Sequence, residues 1–540
     1  MTSFITDRSF GIVTGVVVAA LVFPPLIAVL VAGAGAGFAP LRHPDIVLNT
    51  LAFGVCTTIC ALLIGGGLAV ALAGDVPARG TLERFIVMPL YLTPLLTAMG
   101  WNWLASPHSG LLNLILHAAF GAHVTLNAVS PAGVVFVSAL ATAPLPFLLT
   151  SDALRAMDAS LTEAARVHGA SPGGVFRRIV LPLLAPATLA AAVLVFVQSV
   201  GMFSVPAVLG LPSGFTVATT QIYQLLESYP PRIAEATAWG VLLLAITALV
   251  TFAQARFLSE RSYATITGRA FRPAQHGSGL RSLRAALAWL YVLLSTLLPL
   301  VALLWAASSA FVTVEPKLMH FTPAHFAYVL LAYPKTWLAA TNSAILGVLA
   351  ATCVCAIGFA VSWFVLRGRG RARGLLDQMS MVPLSMPAMV FALGLLWVYV
   401  GLPLPIYGTL GILLLAYVTH YLPFGVRSTS AALRQLHPEL EEASRVAGQD
   451  WLGTVRRVTF PLIKPALVAT WVLLFVMAMQ EVSASILLYT SHSIVLSVAV
   501  FDLWENGNPS NVAALGFVQL VVSFAIVGLA LRARERAAIA

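Results

Sequence analysis

One acidic residue, Glu481, interrupts a long apolar segment near the carboxyl-terminal end of the chain. About 16 residues of the same segment precede it, which corresponds to roughly 24 Å of α-helix at 1.5 Å per residue. A carboxylate at such a depth in a membrane usually faces an aqueous path or a polar partner, and it attracts cations. We expect Glu481 to line such a path. The alternative is a hydrogen bond that holds two helices together, with His420 or Gln198 as the partner.

A polar loop that begins with a short acidic stretch occurs twice in the chain. The first copy, Leu161 to Ala187, reads LTEAARVHGASPGGVFRRIVLPLLAPA, and the second, Leu440 to Ala466, reads LEEASRVAGQDWLGTVRRVTFPLIKPA. Thirteen of the 27 aligned positions are identical at a constant offset of 279 residues. Unrelated segments of this composition agree at about one position in ten. The chain therefore contains a duplicated unit.

Each copy of the loop predicts a short helix with one narrow face. Ala164 and Ala165 keep that face small enough for another molecule to approach closely, and Gly169 supplies the backbone freedom that ends the helix. Pro182 and its counterpart Pro461 are expected to restart the chain into the next span. The helix would then form a rigid projection.

Two interpretations of Glu163 compete. Ser160 and Glu163 have the spacing of a capping box, in which the carboxylate satisfies a backbone N–H and has no further role. The equivalent acid in the second copy is Glu442, and there Glu439 stands in place of the serine, with Pro438 beside it. The same cap cannot explain Glu442, so we favour contact with a partner for both acids.

The loop resembles the Glu-Ala-Ala signature of permeases in ATP-binding-cassette importers: Glu-Ala-Ala, three residues, Gly, nine residues, then Ile-x-Leu-Pro. The first copy matches every specified position, and the second has Ser444, Val458 and Phe460 where the signature has Ala, Ile and Leu. The resemblance implies that each loop helix inserts into a cleft on an ATPase subunit and transmits its movement to the spans. The coupling residues that it implies are Glu163, Ala164, Ala165, Gly169, Pro182, Glu442, Ala443, Ser444, Gly448 and Pro461.

The chain lacks the Gly-rich phosphate loop, GxxxxGK[ST], of ATP-hydrolysing proteins. We therefore expect it not to be an enzyme and to bind no cofactor of its own. The resemblance implies two copies of an ATPase subunit that hold ATP and magnesium, and an extracytoplasmic solute-binding protein. The cysteine and histidine spacing predicts no metal site.

The composition shows which solvent surrounds these elements. Of 540 residues, 59% are hydrophobic and 9% are charged, and the mean hydropathy is +0.92, which exceeds what a soluble domain can bury. Segments at 110–120 and 220–228 are too short to span a bilayer. The twelve predicted spans are 10–33, 48–73, 85–105, 130–150, 186–210, 236–257, 284–309, 340–366, 379–401, 408–430, 465–488 and 512–531.

These spans predict an all-α integral membrane protein with two homologous, parallel six-helix halves, similar to type I ATP-binding-cassette importers. The first permease domain is residues 1–257, the linker is 258–283 and the second permease domain is 284–540. The linker is basic and contains Gly and Ser, and it is expected on the cytoplasmic side.

The distribution of Lys and Arg predicts the orientation. With a cytoplasmic amino terminus, all but four of the 30 Lys and Arg residues lie on the cytoplasmic side; the four are Arg42, Arg232, Lys317 and Lys335. Both termini are therefore expected in the cytoplasm, with the chain in the bacterial inner membrane. The net charge of +10 then reflects contact with lipid headgroups and not with nucleic acid.

The segments Ser199–Tyr223 and Met479–Gly507 resemble the ferric-iron permeases, and thiamine and aminoethylphosphonate permeases share the fused layout. Ferric iron is the first expectation for the solute, with thiamine, aminoethylphosphonate or a polyamine as alternatives. An ion-coupled secondary carrier is a rival from another class, but it leaves the doubled loop unexplained. A membrane enzyme is a further rival, but no acid-base or metal constellation clusters at one surface. The residues expected along the path are Glu481, its first-half counterpart Met202, Gln198 and His420.

Overall fold

The computed structural model describes residues 2–35, 37, 39–74, 76–121, 124–259, 278–310, 312, 320–368, 372–401 and 406–539. Within these ranges the chain is built of helices, and the β pairing is one isolated bridge between Ser309 and Phe321. Most of the predicted linker, residues 260–277, and Lys317 lie outside the described residues. The division into domains 1–257 and 284–540 stays a prediction.

The helices of the two halves follow one another in the same order. Those of the first half are α1 (Thr2–Gly35), α2 (Pro44–Leu72), α3 (Arg79–Tyr91), α4 (Pro94–Ala105), α5 (Leu111–Phe120), α6 (Pro131–Thr142), α7 (Pro144–Ala156), α8 (Ala159–Val167), α9 (Gly173–Val200), α10 (Ala218–Glu227) and α11 (Ile233–Ser259). Those of the second are α12 (Leu280–Ser308), α13 (Lys335–Arg367), α14 (Ala372–Ser385), α15 (Ala388–Val400), α16 (Leu410–Arg434), α17 (Pro438–Val446), α18 (Trp451–Gln480), α19 (Leu496–Glu505) and α20 (Pro509–Ile539).

Among the described residues, nine helices are long and apolar enough to cross a membrane, and three further pairs of helices are bent. The predicted number of twelve is reached when each bent pair counts as one span. The spans predicted at 85–105 and 379–401 correspond to bent pairs, in which α3 and α4 meet at 97° and α14 and α15 at 105°. Thr93 and Met386 each precede a proline and have extended backbones, since the proline ring disfavours a helical residue before it. The span at 130–150 bends by 42° between α6 and α7.

The two short segments are confirmed as too short to span. The first forms α5 and the second contributes to α10, each a helix of ten residues. Helix α10 follows the membrane-length helix α9, and α19 follows α18 in the same way. Both short helices therefore lie toward the side of the protein away from the loop helices α8 and α17, and this side is called the outer side below.

Equivalent polar contacts fix the segments before α10 and α19. Asn49 Nδ2 in α2 donates to the Thr216 carbonyl (3.2 Å), and Asn342 Nδ2 in α13 donates to the Ile494 carbonyl (2.9 Å). The next residue in each helix, Thr50 or Ser343, accepts a hydrogen bond from the first backbone N–H of the short helix. The two halves therefore hold their outer helices by the same device.

Pro182 and Pro461 do not restart the chain, contrary to expectation. Each lies inside a continuous helix, α9 or α18, directly after a widened π-helical turn at Phe176–Val180 or Val455–Thr459. A proline has no N–H to donate and its ring crowds the preceding turn. The wider turn gives the ring room, so the helix continues from the loop into the membrane.

The first helix of each half packs against the bent pair of the other half. Helix α1 lies on α15, and α12 lies on α4. A Cβ at Gly394 in α15 would lie 2.3 Å from the Pro25 carbonyl oxygen, and one at Gly100 in α4 would lie 2.8 Å from Pro299 Cα. The helices cross this closely because glycine occupies both positions. The exchange of first helices locks the two halves together.

We predict that Gly100→Ala and Gly394→Ala each lower the free energy of unfolding by about 1–3 kcal/mol, because the added methyl overpacks the crossing. Thermal unfolding of the purified protein in mild detergent would measure this. The matched control is Gly67→Ala in α2, where a Cβ meets nothing within 4 Å. Equal unfolding temperatures for all three variants would contradict the packing account.

Candidate functional site

A cavity of about 210 Å³ lies between the two halves. It brings together all four residues that the sequence placed on the path. Gln198 and Met202 reach it from the end of α9, His420 from α16, and Glu481 from the end of α18. Proline-bounded ends of α4 and α15 complete the wall, so the bends in those two pairs shape the cavity.

The sequence placed Glu481 inside the span 465–488. In the structure it is instead the first residue after α18, which ends at Gln480. Its backbone is extended, with φ −70° and ψ 115°. The carboxylate Oε1 accepts a hydrogen bond from the Ala484 N–H (3.0 Å), and the Glu481 carbonyl accepts from Ser485 Oγ (3.0 Å) and Ser497 Oγ (2.7 Å). These side chains replace the helical hydrogen bonds that the chain gives up here.

The partner of the Glu481 side chain is Tyr421, which sequence reasoning missed. Tyr421 donates its hydroxyl to Glu481 Oε2 at 2.8 Å, so the predicted alternative partners, His420 and Gln198, were wrong. His420 packs its ring against Tyr421 with centroids 5.1 Å apart, and its buried Nδ1 makes no hydrogen bond within the described structure. The available sequence signal was the pair His420-Tyr421 in the middle of a predicted span.

The first half repeats the backbone plan of this site without its charge. The Met202 carbonyl accepts a hydrogen bond from Thr219 Oγ1 (2.9 Å), as the Glu481 carbonyl accepts one from Ser497. Methionine cannot bind a cation as a carboxylate does, so the acidic oxygen of the cavity comes from the second half. The two halves thus contribute the same backbone contacts to the cavity, but the carboxylate comes from the second half.

The loop helices α8 and α17 end as the sequence predicts. Gly169 and Gly448 have positive φ angles of 80° and 86°, which glycine adopts without strain. Behind them the Ala170 N–H donates to the Ala165 carbonyl (3.0 Å), and the Gln449 N–H donates to the Ser444 carbonyl (3.1 Å). Both are Schellman-type helix ends.

The beginning of α8 excludes the capping-box interpretation of Glu163. Asp158 Oδ1 accepts a hydrogen bond from the Ser160 N–H at 2.9 Å, and the helix starts at Ala159. Ser160 lies within the first turn, so it cannot be the cap that Glu163 would complete. Glu163 and its counterpart Glu442 both have exposed side chains.

Each loop helix also exposes a pair of large apolar side chains that sequence reasoning did not single out. In α8, Leu161 is 47% exposed and Val167 is 85% exposed; in α17, Leu440 is 47% exposed and Val446 is 90% exposed. The pairs occupy equivalent positions, and the available signal was their identity in both copies. Exposed apolar side chains beside a polar face are typical of a docking surface.

The second loop helix is tied to the membrane domain by an ion pair that the first lacks. Glu441 is 6% exposed, and its Oε2 lies 3.2 Å from Arg367 Nε at the end of α13. Arg367 Nη2 also donates to the Leu436 carbonyl (3.0 Å). The residue equivalent to Glu441 is Thr162, so the contact exists once.

The first half uses a different ion pair near its loop. Glu83 in α3 accepts hydrogen bonds from Arg79 (2.9 Å) and from Arg155 (2.9 Å) in α7, the helix that precedes α8. These charges are half-exposed, so the contact positions α7 more than it stabilises the fold. The Glu83–Arg155 pair thus joins α7 to α3, whereas the Glu441–Arg367 pair holds the loop helix α17 itself.

Two segments, residues 61–262 and 343–536, match the sequence profile of the family described as binding-protein-dependent transport system inner membrane component. The chain belongs to this family. It is accordingly a multi-pass inner-membrane permease of a transport system, with the family's transmembrane domain present twice.

Several relatives match most of this permease. It is 28% identical over 451 residues to the ferric transport system permease protein FbpB of Actinobacillus pleuropneumoniae, covering 82% of this chain and 64% of that protein. It is 29% identical over 444 residues to the putative ferric transport system permease protein FbpB 1 of Haemophilus influenzae (80% and 68%). It is 28% identical over 492 residues to the probable ABC transporter permease protein y4fN of Sinorhizobium fredii (88% and 85%).

We predict that Glu441→Ala loosens α17, because Arg367 loses its buried partner. The free energy of local opening of α17 should fall by about 1–3 kcal/mol. Hydrogen exchange of the α17 backbone in the purified permease should accelerate. The adjacent Glu442→Ala removes an exposed carboxylate and should leave exchange unchanged. Equal exchange in the two variants would show that the ion pair does not position the helix.

Proposed function

We propose that this permease forms the membrane path of a ferric iron importer driven by separate ATP-binding-cassette ATPase subunits. The observation that carries the proposal is the cavity between the halves, with Glu481 as its acidic residue and Tyr421 beside it. Small, highly charged cations prefer oxygen ligands. The names of two relatives, which are ferric transport permeases, support the same solute.

Glu481 would act as a transient contact for the passing cation. Its carboxylate is held by one tyrosine hydroxyl and one backbone N–H, so it keeps lone pairs free for a solute. The neighbouring Gln480 is oriented by donating its Nε2 to the Leu90 carbonyl (3.1 Å) and also lines the cavity. A single acid attracts a cation without binding it too tightly to release it.

The loop helices would couple this path to ATP hydrolysis. Two equivalent helices, each with an exposed acid and an exposed apolar pair, suit two copies of one ATPase subunit on the cytoplasmic side. ATP and magnesium would be bound by those subunits. Both termini of the permease would lie in the cytoplasm, and a solute-binding protein would deliver the iron to the outer side of the inner membrane.

We predict that the double variant Glu163→Lys, Glu442→Lys abolishes uptake, because the reversed charge on both loop helices prevents docking of the ATPase. Uptake of radioactive iron in cells is the measurement, with the amount of permease in the membrane quantified in parallel. Both side chains are exposed, so insertion should be normal. Wild-type uptake in the double variant would refute the coupling role.

Replacing Glu481 with Gln should reduce ferric iron uptake about tenfold or more, since the charge-assisted contact to the cation is lost. The matched control is Met202→Leu at the equivalent position of the other half, which should leave uptake within about twofold. Parallel uptake of thiamine, aminoethylphosphonate and spermidine would separate the alternative solutes. Iron uptake equal to wild type in Glu481→Gln would contradict the proposed path.

A further inference from the structure

Two short helices, one from each half, contact residues of the cavity wall from the outer side. Thr219 in α10 donates to the Met202 carbonyl, and Ser497 in α19 donates to the Glu481 carbonyl. Each of these contacts joins an outer helix directly to a residue that lines the cavity. A movement of α10 or α19 therefore changes the wall of the cavity itself.

Three aromatic rings meet where the two helices approach each other. Phe203, next to Met202, lies 5.1 Å from Tyr223 of α10 and 5.3 Å from Phe501 of α19, measured between ring centroids. Tyr223 and Phe501 are 5.8 Å apart. All three are less than a tenth exposed, so the rings form a packed plug that joins the two halves.

One polar contact crosses the same junction. The Tyr223 hydroxyl lies 2.8 and 2.9 Å from the two carboxylate oxygens of Glu505, which is 282 residues away at the end of α19. The internal repeat aligns Tyr223 with Phe501 and Glu227 with Glu505, at an offset of 278 residues. Because phenylalanine has no hydroxyl, the equivalent hydrogen bond from Phe501 to Glu227 cannot form. The contact is therefore made once, by Tyr223 and Glu505.

Glu505 sits in an acidic setting. Burial raises the pKa of Glu505 above its usual value, the Tyr223 hydrogen bond opposes that rise, and the nearby Glu227 and Asp502 carboxylates add to it. The hydroxyl of Tyr223 is thus the donor that stabilises this carboxylate in the closed arrangement. Asp502 forms an ion pair with Lys335, whose Nζ lies 2.9 Å from Asp502 Oδ2.

We infer that Phe203, Tyr223, Phe501 and Glu505 form the outer gate of the cavity, and that the Tyr223–Glu505 hydrogen bond latches it closed. A solute that arrives from the outer side reaches Glu481 only after the rings separate and this bond breaks. The inference rests on the proposed role of the cavity as the path, and it is independent of which solute is carried.

Accessibility of the cavity from the outer side tests the latch. In a variant with Cys56, Cys60, Cys353 and Cys355 replaced by alanine, Ser483→Cys places one thiol in the cavity wall. The permease, without a binding protein, is reconstituted into proteoliposomes. A membrane-impermeant maleimide is added to the bath, and labelling is scored on the molecules whose outer side faces the bath. Tyr223→Phe should speed labelling about tenfold, the population shift expected when one hydrogen bond to a charged group is lost.

The matched control is Tyr229→Phe, which removes a hydroxyl from a fully exposed tyrosine six residues away. Its labelling rate should equal that of the parent. Equal rates for Tyr223→Phe and the parent would overturn the latch. Labelling of the parent as fast as that of an exposed outer cysteine would overturn the gate as a whole.

A second experiment bridges the gate. Tyr223→Cys with Glu505→Cys, joined by a reducible bifunctional methanethiosulfonate, should lose solute uptake and regain it on reduction. Full uptake in the bridged permease would refute the gate. The labelling assay contains no iron, so a wrong solute assignment would leave its outcome unchanged, and the two proposals can fail separately.

Discussion

A backbone N–H or carbonyl left without a partner in lipid costs several kcal/mol, so a helix can end inside a membrane only where other groups take over its hydrogen bonds. This constraint determines where the cavity can lie. Helix α18 ends at Gln480 because Ser485 and Ser497 satisfy the Glu481 carbonyl and the Glu481 carboxylate satisfies a backbone N–H. Glu481 therefore has two roles in the structure: its carboxylate helps to end α18, and its side chain lines the cavity.

The duplication preserved the backbone and let the side chains diverge. The loop helices, the widened turns, the asparagines that hold the outer helices and the glycines at the crossings are all repeated. Three polar features are not repeated. Glu481 corresponds to Met202, Tyr223 corresponds to Phe501, and the Glu441–Arg367 ion pair has no first-half copy. A symmetric scaffold thus carries an asymmetric cavity, and the two loop helices are held in different ways.

The sequence predicted what depends on long apolar runs and on repetition: the positions of the nine membrane-length helices and three bent pairs of the described residues, the loop helices with their terminal glycines, and the four residues around the cavity. It failed where a long-range contact overrides local pattern. Hydropathy could not reveal the end of α18 at Gln480, because the side chains that allow it come from other segments. Glu481 binds Tyr421, a choice set by how α16 and α18 pack.

We propose that two ATPase subunits drive this permease through its two loop helices. The decisive experiment is quantitative mass spectrometry of the tagged protein, crosslinked in native membranes and purified in mild detergent. We expect one ATPase species at two copies per permease, crosslinked to α8 and α17. Recovery of the permease without any ATPase under the same crosslinking would contradict it and would favour a carrier driven by an ion gradient.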